Sequence, residues 1–187
     1  MKNNLNNNQS FNTKDTAMKK LTILITLLLV AGFSINAFAQ QTATATATTT
    51  ATIVTPIGIS KTVDMVFGNI ATNGAVGTVV LTTAGTRTST GGVTLPAASG
   101  SPTAASFAVT GSGTYTYTIT LPASPITLAG TTAGVTVGTF VSNPAATGAL
   151  TAGAQTVLVG ATLNLPVSTV AGAYTNAVGL TVTVNYN

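Results

Sequence analysis

The stretch Thr114-Tyr115-Thr116-Tyr117-Thr118-Ile119-Thr120-Leu121 alternates without a break, a β-branched polar residue at each even position and a large apolar one at each odd position. In an extended chain successive side chains point to opposite faces, so Tyr115, Tyr117, Ile119 and Leu121 share one face and the four Thr share the other. A helix would scatter those apolar residues around its circumference. The reading is therefore a β-strand with one face in a core and one in water.

The same period recurs on both sides of this stretch. Near the C-terminus Val178, Leu180, Val182, Val184 and Tyr186 alternate with Gly179, Thr181, Thr183 and Asn185, and between the two lies a third set, Val157, Val159, Ala161, Leu163 and Leu165. Further strands are expected at 63–67, 76–83, 105–110 and 135–141, with Gly- or Pro-bearing turns between them, and Gly111-Ser112-Gly113 reads as a hairpin turn. Beyond position 40 Thr is the commonest residue and Glu and His are missing. β-Branched residues suit a pleated surface and serve helices poorly. Seven or more short strands with no helical stretch to act as a crossover predict an all-β fold, an immunoglobulin-like antiparallel β-sandwich over residues 53–187.

The N-terminal part is of another kind. Lys19-Lys20 precede an apolar run from Leu21 to Ile35, which ends in Ala37-Phe38-Ala39 before Gln40. A basic stretch, an apolar run and an Ala-x-Ala ending are the three parts of an export signal. The run falls short of the ~20 residues that span a bilayer. Residues 1–39 are therefore expected to be a signal peptide cleaved between Ala39 and Gln40, with Met18 as a second candidate start. No membrane span is expected in the mature chain.

Of the six Lys and Arg and two Asp and Glu in the 187 residues, only Lys61, Asp64 and Arg87 lie after position 40. Nucleic-acid binding needs many cations to displace phosphate counterions, so that class of partner is excluded. Acid–base catalysis needs positioned titratable groups, and the mature segment has one carboxylate, no His and no Cys. Paired-carboxylate hydrolysis, Ser-His-Asp chemistry and His or Cys metal sites are left without their residues. The protein is expected not to be an enzyme and to need no cofactor. Lys61 and Asp64, three apart in a strand, are expected on opposite faces without a direct pair. Arg87, in a run of small polar residues, is expected in a solvated loop or at a short strand end. The Thr rows read as ordinary wet strand faces, without the in-register repeat of an ice-binding solenoid.

Residues 40–52 are almost wholly Thr and Ala, with Ala43, Ala45, Ala47, Ala51 and then Ile53 on odd positions. Such an extended segment with a weak apolar face is a candidate donor strand. It pairs either with its own domain or with another molecule.

Taken in order, Ile53-Val54-Thr55-Pro56-Ile57, Met65-Val66-Phe67-Gly68-Asn69-Ile70, Gly77-Thr78-Val79, the run V-L-V-G-A-T-L at 157–163 and the ending Val182-Thr183-Val184-Asn185-Tyr186 resemble the secreted bacterial family called domain of unknown function 4402. The resemblance spans about residues 51 to 187 and implies a secreted β domain without an assigned activity. A looser resemblance, carried by the penultimate Tyr186, the alternating strand before it and Gly172, is to pilins of the chaperone-usher type. It implies an incomplete sandwich, completed by an extended strand of a neighbouring subunit, and a periplasmic chaperone.

The resulting expectation is a non-catalytic structural subunit of a surface appendage or coat in a Gram-negative bacterium, located in the periplasm, on the outer surface or in an extracellular filament. Its partners would be copies of itself or related subunits. The alternative is a self-complete monomeric surface sandwich that binds a glycan or a protein.

Overall fold

The computed structural model describes residues 18–25 and 42–187. Two units separate, Met1–Thr50 and Ala51–Asn187. In the first, residues 18–25 are helical and residues 42–50 are exposed chain without regular structure.

The second unit contains ten strands: β1 Gly58–Val63, β2 Ala71–Leu81, β3 Arg87–Thr94, β4 Ala105–Thr110, β5 Thr116–Thr120, β6 Ile126–Thr127, β7 Thr136–Asn143, β8 Thr147–Ala149, β9 Ala154–Leu165 and β10 Thr183–Tyr186. All pairings are antiparallel. The seven-stranded sheet is organised by the longest strand, β9. Along one edge of β9 its first half pairs with β4 and its second half with β2, while β7 runs along the other edge. β1, β3 and β6 extend the sheet outward from β4, β2 and β7. Gly160 stands where the first edge changes partner, and a Cβ there would lie 2.4 Å from Leu81 O. Only glycine lets the end of β2 come so close.

The second sheet is smaller, in the order β10-β5-β8. It covers the first half of β9. Phe107, Val109, Val157 and Val159 of the large sheet meet Tyr117, Ile119, Leu150, Val182 and Val184 in one buried cluster. Each such side chain removed from water contributes about 1.5–3 kcal/mol, enough in sum to hold the layers together without disulfides. A second cluster, Val79, Val93, Val135, Val137, Ala161, Leu163 and Leu165, lies over the other half of β9. No sheet faces this second cluster. Its cover comes from Met65, Phe67, Ile70, Leu95, Leu128 and Tyr174, outside the named strands, together with Phe140 of β7.

The all-β antiparallel sandwich is thus the fold, and the alternation read at Thr114–Leu121 forms β5, the middle strand of the small sheet, over Thr116–Thr120. Tyr117 and Ile119 are buried and the Thr between them exposed, although Tyr115 precedes the strand and is 48% exposed. Other expectations are corrected. Gly111-Ser112-Gly113 makes no hairpin, because β4 and β5 belong to different sheets and the chain crosses between layers there. The strand expected at 63–67 instead ends at Val63, with one isolated bridge from Val66 to Thr103 beyond it. Arg87 lies at a strand end, one of the two places expected for it, but the strand it opens, β3, runs a full eight residues.

Candidate functional site

The chain enters the sandwich through Ile57 and Ile59, which pack against the first cluster. Just before them, Thr55 is held by the opposite end of the domain. The Tyr186 hydroxyl donates to Thr55 O at 2.9 Å and accepts from the Ser112 N–H at 2.7 Å. Its ring lies against Tyr115, with centroids 5.7 Å apart. The penultimate tyrosine therefore ties three segments, and the chain leaves its own core on the N-terminal side of this tie. Ile53, two residues earlier, is 97% exposed.

Beyond Ile53 the candidate donor residues Ala51, Ala47, Ala45 and Ala43 are also exposed and lie in no strand. Among the described residues, none from 42 to 57 makes a backbone–backbone hydrogen bond. The signal cleavage residues Ala37, Ala39 and Gln40 fall outside the described residues. At the other terminus only part of the expected strand forms. Val182 and Val184 are buried, Leu180 and Tyr186 half-buried, and Val178 is 89% exposed and outside β10. The alternation overestimates this strand because residues 171–180 are tied elsewhere.

Those ties build one wall of a cleft of about 1340 Å³. Thr175 exchanges two backbone bonds with Ala129, at 2.7 and 2.9 Å. The Tyr174 hydroxyl donates to Val170 O at 2.6 Å and accepts from Thr132 N–H at 3.2 Å, while Asn176 Nδ2 donates to Thr127 O at 2.8 Å. The facing wall is the segment after β1. Arg87 Nη1 donates to Phe67 O at 2.5 Å and Asn69 O at 2.9 Å, and Val66 exchanges two 2.9 Å bonds with Thr103. Between the walls the floor includes Val135, Val137, Leu163 and Leu165 of the second cluster. Among the described residues no hydrogen bond joins 61–72 to 169–180.

The charged groups are structural as well. Lys61 Nζ and Asp64 Oδ1 pair at 2.5 Å on the cleft rim, both well exposed. The expected separation fails because the ladder is irregular between Lys61 and Val63 and the strand then ends, so regular alternation no longer carries to Asp64. Arg87, at the strand end that was one of its two expected places, is half-buried and spends its guanidinium on backbone carbonyls, so the solvated-loop alternative does not hold. Among the described residues no three His, Cys, Asp or Glu side chains gather in a way that could hold a metal ion. No helix of the described residues is long and apolar enough to cross a membrane.

Sequence reading missed the contact that anchors the small sheet. Tyr117 donates to Gln155 Oε1 at 2.6 Å, and burial lifts its phenol above the ordinary value of 10.0. Gly148 of β8 is its register partner. A Cβ there would stand 2.3 Å from Tyr117 Cζ. Nothing local marks Gln155 or Gly148 as partners of Tyr117, because both arrive by chain folding.

These features define an antiparallel β-sandwich whose second core half is roofed mainly by loops, preceded by residues 42–53, which lie in no strand. The chain belongs to the family described as domain of unknown function (DUF4402), whose model matches residues 57–186. No curated protein and no solved structure matches the chain.

Proposed function

We propose that this protein is an exported, non-catalytic structural subunit of a bacterial surface appendage or coat, and that its copies join by strand complementation. The observation that carries the reading is the segment from Thr42 to Ile53, which is uncharged, exposed and without backbone hydrogen bonds among the described residues. Unpaired backbone that is extended and carries no charge is a template for pairing with a sheet or groove of another molecule. A disordered linker has no need of the odd-position apolar series Ala43, Ala45, Ala47, Ala51 and Ile53. The Ala-x-Ala ending after the apolar run supports export. A periplasmic chaperone that covers the segment or the acceptor before assembly fits the same scheme.

The experiment compares wild type, a deletion of residues 42–52 and Ala47→Asp by size-exclusion chromatography and electron microscopy. Wild type is expected to give oligomers or fibres. Both variants are expected to run as monomers, since Asp would bury an unpaired charge in the contact. Identical monomer profiles for all three chains reject the proposal in favour of a free-standing domain.

A further inference from the structure

We infer that the cleft between residues 61–72 and 169–180 receives residues 42–53 of a second copy of this chain, so that subunits join head to tail. The inference rests on the strand-complementation reading and assigns its acceptor.

The first observation is the uneven roof of the sandwich. The first cluster lies between two sheets, whereas the second is covered mainly by side chains from irregular segments, with Phe140 of β7, and opens into the cleft. Each wall is hydrogen-bonded to its own side, to Ala129, Thr127 and Thr132 on one and to Thr103 and Arg87 on the other. The backbone bond nearest to a bridge, Ser168 N–H to Gly74 O at 2.7 Å, lies just beyond the Thr72/Thr169 end of the cleft, so the walls can part around an inserted chain along the rest of its length at little cost in existing bonds.

The second observation is the match of the occupant. Among the described residues the only charges on the rim are Lys61 and Asp64, which neutralise each other, and residues 42–53 carry none. Alanine and threonine are small enough for a slot whose floor is already packed. Twelve residues of extended chain reach about 40 Å.

The third observation decides between the chain's own segment and that of a neighbour. β1 starts with Gly58 beside Thr110 and runs to Val63 beside Ser106. Thr55 and its tie to Tyr186 precede the start of β1, whereas the cleft begins at its finish, with Lys61, Val63 and Asp64 in the lining. A chain reaching its own cleft would have to reverse before Thr55 and run back past the six residues of β1, about 20 Å. A second copy set end to end needs no reversal. Donor and acceptor at opposite ends make a heterologous contact, and repetition of such a contact produces an open filament.

The absence of cysteine allows a direct test in the full chain. One chain carries Ala47→Cys and a co-expressed chain carries Val170→Cys, an exposed position on the cleft wall. The control pairs Ala47→Cys with Thr88→Cys, exposed on β3 and outside the cleft lining. After mild oxidation, mass spectrometry is expected to find the 47–170 disulfide between chains at least tenfold above the 47–88 disulfide. Oligomers that give no excess of 47–170 over the control overturn the cleft assignment and leave strand complementation standing. A chain carrying both Ala47→Cys and Val170→Cys that closes its disulfide as a monomer overturns the second copy as occupant. Absence of any oligomer by light scattering overturns both readings.

Discussion

Tyr117 on the small sheet and Gln155 on the large sheet are joined by a 2.6 Å hydrogen bond that bridges the two layers of the sandwich. The bond lets an aromatic ring with a polar tip be fully buried, because a phenol without a partner would cost about 1–3 kcal/mol in desolvation. Tyr117→Phe removes the hydroxyl and leaves the ring. It is expected to lower unfolding free energy by about 1 kcal/mol, whereas Tyr117→Ala, which opens a cavity, should cost about 3–5 kcal/mol. Urea titration of the three proteins checks the order.

The same phenol makes stability depend on alkaline pH. Burial raises its pKa in the folded protein above 10.0, the value it has in the unfolded chain. The folded state therefore holds the proton more tightly, and this contribution is complete below pH 10 and lost as pH rises through the folded value. Thermal unfolding followed from pH 8 to 12 is expected to show a steeper alkaline loss for wild type than for Tyr117→Phe. Parallel curves would assign the loss to other groups.

Gly148→Ala tests the close approach beneath that ring. The new methyl would sit 2.3 Å from Tyr117 Cζ and 2.5 Å from Gln155 Oε1. Neither atom can yield without breaking the interlayer bond. Overpacking of this kind costs about 1–3 kcal/mol, and the double variant with Tyr117→Phe should recover little, because the ring itself remains in the way. Differential scanning calorimetry gives both numbers.

Arg87→Ala should loosen one cleft wall while the sandwich persists. The guanidinium holds the carbonyls of Phe67 and Asn69, and the Val66 and Asn69 amides donate close by, to Thr103 O and Ser99 O. Hydrogen exchange at those two amides is expected to speed up at least tenfold, with protection in β9 unchanged. Arg87→Lys should restore part of the protection, since an ammonium reaches one carbonyl more readily than two.

Tyr186→Phe separates the tie at Thr55 from the packing of the ring. Without the hydroxyl, Thr55 O and Ser112 N–H lose their shared partner while the contact with Tyr115 stays. Limited proteolysis before Ile57 is expected to accelerate several-fold. A global stability change below about 1.5 kcal/mol should accompany it, as for one exposed hydrogen-bonding group.

Period-2 patterns at 114–121, 157–165 and 178–186 made the class of fold readable, because alternation depends only on the geometry of an extended chain and on which side chains avoid water. β4 appears over Ala105–Thr110, the further strand expected there between turn-bearing segments. β3 escaped notice because its sequence, Arg87 to Thr94, has small polar residues on both faces and takes its extended form from pairing with β2. Val178 shows the converse. It continues the C-terminal alternation, yet Asn176 and Thr175 bind to Thr127 and Ala129, far away in sequence, and draw the chain out of the sheet.

The residue types, their near absence of charge and their alternation were enough to imply an all-β chain with no obvious catalytic groups and an uncharged extended segment before residue 53. Tertiary structure alone decided that Gly111-Ser112-Gly113 joins two sheets, that Lys61 meets Asp64, that Arg87 serves two carbonyls, and that half of β9 lies under loops. Local pattern tells a residue which side to face. It carries no term for which distant strand arrives at that side, because that choice minimises the exposed apolar area of the whole domain at once.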